Sequence, residues 1–123
     1  MTLNLNKSLI YFKTVILQAT GRVWHYKRPK NEKFPFAVWT EFSEENSFHT
    51  NNQKQVQPVL IGLDYFTQTE FDPVIDKIQN TLNDAEGISF ELTDIQYEEE
   101  TEVIHYSWQV VVEYGDKNHL VGI

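Results

Sequence analysis

The alternation of apolar and polar residues is most regular over residues 59–85. Val59, Ile61, Leu63 and Tyr65 alternate with Leu60, Gly62, Asp64 and Phe66, the two-residue period of a pleated strand with one apolar and one mixed face. This predicts a strand inside a sheet. Phe71, Val74, Ile75, Ile78, Leu82 and Ala85 then recur at steps of three and four, with Glu70, Asp76, Lys77 and Asn80 on the other side. That is an amphipathic helix made to lie on the sheet. Two starts compete for it: Thr69 with Asp72 as a capping box, or Asp72 as N-cap with Pro73 in the first helical position. Proline at the fourth position would remove an intrahelical bond and crowd a carbonyl, so the second start is favoured. Residues 83–87 end the helix.

Leu5, Leu9, Phe12 and Ile16 follow helical spacing, widened by Ile10 and Leu17, and predict a first helix over 5–19. Asn4 or Asn6 is its candidate cap, and Gly21 its terminator. Residues 23–27 and 34–42 read as strands joined by the basic link RPKNEK, in which Pro29 and Asn31 mark a turn; the pattern is that of a hairpin. Phe34, Phe36, Val38, Thr40 and Phe42 share one face, and Ala37 and Trp39 make the other partly apolar, so both faces are expected to be covered. Residues 43–57 are polar, rich in Asn and Gln, and read as an exposed loop or long hairpin arm. In the C-terminal third Ile88, Phe90 and Leu92 point one way and Ile95 and Tyr97 take the opposite parity. A β-bulge near Thr93 and Asp94 explains the slip. After the acidic turn EEETE, Ile104, Tyr106, Trp108, Val110, Val112 and Tyr114 alternate without a break. This is read as the longest strand, central or packed against a helix, with 115–123 a loosely tied tail.

At 123 residues the chain is one domain, 1–123, able to bury roughly two thirds of its unfolded surface. It has no cysteine, hence no disulfide or thiolate chemistry. No stretch approaches the roughly 20 apolar residues of a membrane span, and MTLNLNKSLI lacks the form of a signal peptide, so a soluble protein made inside the cell is expected. The net charge of −8 is unevenly laid out: residues 1–33 carry seven Lys and Arg against the single acid Glu32, and residues 34–123 carry three Lys against seventeen acids. Such a layout can steer head-to-tail contact between copies.

No catalytic, cofactor-binding or metal-ligating set emerges. The five glycines are too scattered for a phosphate loop, the four histidines lack metal-ligand spacing, and no GxSxG elbow exists. A metal site would need His49 and His105 to converge in space. Glu98, Glu99, Glu100 and Glu102 read as a solvated turn, because catalytic carboxylates need a cleft. Lys27, Arg28, Lys30 and Lys33, flanked by Trp24, Tyr26 and Phe34, are the one stretch suited to nucleic acid. The overall acidity opposes that use. Contact with an acidic protein surface, including the EEETE turn of a neighbouring copy, fits better, so both turns are candidate subunit or partner contacts. The alternative is a monomeric module that binds nucleic acid or protein through the basic aromatic hairpin at 24–34.

The order helix, hairpin, polar loop, strand, helix, hairpin, with VWHYKRPKNEKFPFAVW, DYFTQTEFDPVIDKIQ and YEEETEVIHYSW, resembles small tail terminator (tail completion) proteins of long-tailed bacteriophages and prophages. The resemblance covers roughly residues 3–114. It implies an α+β fold, a mostly antiparallel sheet of four to five strands with two helices on one face. It further implies a ring of subunits, commonly six, that caps the tail tube and presents the head-joining surface. Expected partners are other copies, the tail-tube protein and the head-tail connector, with DNA only passing through the ring. The expected location is the host cytoplasm during assembly and then the virion neck. A polar loop carrying Glu44, Glu45, His49 and Lys54 is a candidate lumen or rim of that ring. No cofactor or catalytic residue is implied.

Overall fold

The computed structural model describes residues 3–45, 49–50, 53–54 and 56–114. Its elements are α1 (Leu5–Leu17), β1 (Val23–His25), β2 (Phe36–Glu44), β3 (His49–Thr50), β4 (Gln53–Lys54), β5 (Val59–Thr67), α2 (Pro73–Asp84), β6 (Ile88–Glu98) and β7 (Val103–Val112). Among the described residues five strands make one sheet in the order β1, β2, β5, β7, β6, while β3 and β4 pair with each other. The large sheet is antiparallel except where β1 meets β2. The class is α+β, with both helices on one face.

That face is set by parity. Ala37 and Trp39 of β2, Val59, Ile61, Leu63 and Tyr65 of β5, and Trp108, Val110 and Val112 of β7 are all buried there. Phe12, Val15 and Ile16 of α1 and Ile78 and Leu82 of α2 complete the core. Phe12 meets Trp39 edge-on with centroids 5.1 Å apart, and Trp108 donates its indole N–H to Gln79 at 3.0 Å. Each helix is thus anchored over one large ring of the sheet. The alternation in β5 is complete, and the strand lies in the middle of the sheet as its pattern predicts.

Asp72 caps α2 with Pro73 at the first helical position. Its Oδ1 accepts from the Val74 N–H at 2.9 Å, and its Oδ2 accepts from the hydroxyls of Tyr65 (2.8 Å) and Thr67 (2.7 Å). One carboxylate therefore fastens the helix start to the end of β5. Asn4 caps α1. The slip in β6 is a register shift between Leu92 and Asp94, as expected.

Several expectations are corrected. Residues 23–27 and 34–42 do not form a hairpin: β1 runs parallel to β2, pairing Val23, Trp24 and His25 with Ala37, Val38 and Trp39. The link must therefore double back, and Arg22 holds it through the carbonyls of Lys33 and Pro35 and the carboxylate of Glu32. Pro29 and Asn31 do turn the chain, with the Glu32 N–H on the Pro29 carbonyl and Asn31 at φ 65°. α1 ends at Leu17, its cap is Gln18, and Gly21 takes no left-handed conformation there. β2 extends through Ser43 and Glu44, so the polar stretch 43–57 starts inside a strand and also contains β3 and β4. β6, at 11 residues, exceeds β7 at 10. The tail 115–123 lies outside the described residues.

Candidate functional site: a groove on the open face

The face away from the helices carries Phe36, Val38, Thr40 and Phe42 of β2, Leu60, Gly62, Asp64 and Phe66 of β5, and Val103, His105 and Ser107 of β7. At one end of it lies a groove of about 620 Å³. Its floor is Phe34, Phe36, Val38, Phe66 and Val103, with Lys27 and Arg28 on the rim beside β1 and Glu98 and Thr101 on the rim from the β6–β7 turn. The doubling-back of the parallel link brings the basic rim over the sheet. Antiparallel pairing of Glu98 with Val103 brings the acidic one.

Rings are stacked along the floor. Phe34 lies on Phe36 (5.3 Å between centroids), Phe36 on Phe66 (5.0 Å) and Phe66 on His105 (4.2 Å), and the Arg28 guanidinium sits 5.0 Å above the Phe36 ring. Only 2 % of Phe36 remains exposed, so that ring has no free face on which a base could stack. Two carboxylates, Asp64 and Glu98, line the same groove. Phosphate would meet them as well as the cations, which removes much of the attraction of the basic rim.

Asp64 gathers two donors. His105 Nε2 lies 2.8 Å and Ser107 Oγ 2.7 Å from its Oδ1, and the serine and imidazole are 3.2 Å apart. A nucleophilic triad needs the imidazole to face the carboxylate with one nitrogen and the hydroxyl with the other. Here a single nitrogen faces both and donates to the carboxylate. The arrangement ties β5 to β7 and gives the serine no base.

At the β1 edge, His25 is stacked between Trp39 and Tyr26, each 3.7 Å away, and its Nε2 shares a 2.6 Å bond with Glu41 Oε1. Tyr26 donates its hydroxyl to Glu41 Oε2. Burial acts to raise the Glu41 pKa, but the bonds from Tyr26 and His25 outweigh it and hold the carboxyl below the ordinary glutamate range. The bond to Glu41 raises the Tyr26 hydroxyl in turn.

The two predicted contact clusters are thus partly brought together. Lys27, Arg28 and Glu98 share the groove, Lys30 and Lys33 are exposed on the link and do not line it, and Glu99, Glu100 and Glu102 are exposed at the β6–β7 turn. Glu44 and Glu45 lie at the end of β2, held near β5 by the Glu45 N–H on the Pro58 carbonyl; the side chains of His49 and Lys54 lie outside the described residues. Among the described residues no group of three metal-ligating side chains occurs, and no helix is long and apolar enough to cross a membrane. The groove floor and the Asp64 cluster are absent from the sequence reading. Their signal was the polar residue at 64 in an otherwise apolar strand, which antiparallel pairing sets opposite Ser107.

No protein-family model matches the chain, and no curated protein matches it.

Proposed function

We propose that this chain is a structural, non-enzymatic protein that forms a ring at the head-proximal end of a long phage tail, stops tube growth and joins tail to head. The observation that supports it best is the opposed charge of the two sheet edges. β1 and its link carry Arg22, Lys27, Arg28, Lys30 and Lys33, whereas β6 and its turn belong to a stretch, 78–114, with nine acids and no Lys or Arg. A subunit with two different complementary edges associates head to tail, and such contacts close into rings or run on as filaments. The resemblance in DYFTQTEFDPVIDKIQ and YEEETEVIHYSW supports the phage setting; these strings encode the β5–α2 unit and the β6–β7 turn around which the fold packs. The partners are then tail-tube protein below and head-tail connector above, and the location is the host cytoplasm followed by the virion neck.

The nucleic-acid reading is the weaker one, because the ring best placed for stacking is covered and acids share the groove. The experiment is tube assembly with and without the chain. Tubes capped at one end and halted in growth are expected. Tubes that lengthen unchanged and carry no added density at either end would contradict the reading.

A further inference from the structure

We propose that the contact between copies is an edge-to-edge one, with β6 of one copy docking on β1 and the basic link of the next. Among the described residues β6 is the outermost strand of the sheet, bonded only to β7, and it presents an edge of 11 residues, about 36 Å of strand. Natural proteins guard such edges with Lys, Pro or a covering segment. Residues 88–98, ISFELTDIQYE, contain neither Lys nor Pro; the edge is guarded by its bulge and by the acids Glu91, Asp94 and Glu98, which repel a like edge but not a basic one.

Its helix-side face is also short of cover. α2 extends only about 18 Å, and it lies over Ile88 and Phe90. Leu92 (37 % exposed), Ile95 (55 %) and Tyr97 (60 %) stand on the same face beyond it. Three large apolar side chains in a row on an open strand edge mark a surface that is covered in use.

Charge identifies the occupant as a second copy and fixes the orientation. Glu91, Asp94 and Glu98 alternate along β6 on the open face, and Glu99, Glu100 and Glu102 follow at the turn. Pairing β6 with its own counterpart would oppose these carboxylates to each other, which is unfavourable. The opposite edge strand of the same sheet, β1, roughly 19 Å away, leads into the link with Lys27, Arg28, Lys30 and Lys33, of which Lys30 and Lys33 are exposed and do not line the groove. The complement of the acidic edge is therefore present on every copy. The contact deepens the ring reading and rests on it for its setting in a tail.

The test uses two variants, each blocking one edge at exposed positions: Ile95→Lys with Tyr97→Lys on β6, and Arg28→Glu with Lys30→Glu on the link. Light-scattering mass is followed during size-exclusion chromatography. Each variant alone should need about 10- to 100-fold more protein than wild type to associate. An equimolar mixture should form a species of two chains and no larger one, because one intact β6 edge and one intact basic edge remain. Variants that associate like wild type would overturn the proposed surface and leave the ring reading standing. A mixture that stays monomeric would overturn the head-to-tail arrangement. Wild type that stays monomeric at the highest concentration, with tail-tube protein present as well as without it, would overturn self-contact itself.

Discussion

Asp72 shows what one side chain does in this fold. Buried at the start of α2, it accepts from the Val74 amide, the Tyr65 hydroxyl and the Thr67 hydroxyl, so it starts the helix and ties it to the end of the strand at once. Asp72→Ala removes the cap and leaves a buried tyrosine hydroxyl unpaired, which should cost roughly 2–4 kcal/mol. Urea unfolding measures it; a loss under about 0.5 kcal/mol, the range of ordinary surface substitutions, would contradict the role. Tyr65 carries a pH signature of the same cluster. Burial, then the bond to Asp72, raises its pKa well above the ordinary tyrosine value. The folded state therefore holds this proton more tightly than the unfolded one. Its contribution is fully present below about pH 10 and declines as pH rises above that. Tyr65→Phe should flatten the fall in stability as pH rises above about 10, with Tyr11, also raised by burial, supplying part of what remains. An alkaline slope identical in the variant would refute this. The cap was legible in the sequence because a proline at the first helical position leaves few choices for the residue before it. The hydroxyl partners were not, since nothing local relates Tyr65 to a residue seven positions on in another element.

Among elements, the legible ones are those whose period is uninterrupted. β5, α2 and the bulged β6 follow from apolar spacing alone, because a parity slip at Thr93 and Asp94 has few other physical causes. β1 was misread because its direction depends on how the link runs, and Arg22 fixes that through carbonyls at Lys33 and Pro35, which carry no side-chain signal. A second bulge, at Phe42 between Glu41 and Ser43, was also hidden by a regular pattern. Its ring lies over Gly62, where an added Cβ would come within 2.4 Å of the Phe42 ring edge. Phe42 is 67 % exposed, so the ring can swing outward. Gly62→Ala should therefore leave stability within about 1 kcal/mol of wild type, because the gain in strand rigidity offsets the lost contact. A loss of several kcal/mol in thermal unfolding would mean that Phe42 is held in place.

For the whole molecule, the charge asymmetry of the sequence survives folding in a specific form. The basic link and the acidic turn occupy opposite edges of one sheet and the two rims of one groove. The groove itself was not legible. It exists because a parallel link folds back over Phe36, and its lining is assembled from four separate segments. The most direct measurement is the light-scattering mass of the wild-type chain over a concentration series, with negative-stain images of any large species. Rings with a central hole, of discrete mass, are expected. A chain that remains monomeric at high concentration and in the presence of tail-tube protein would contradict the account.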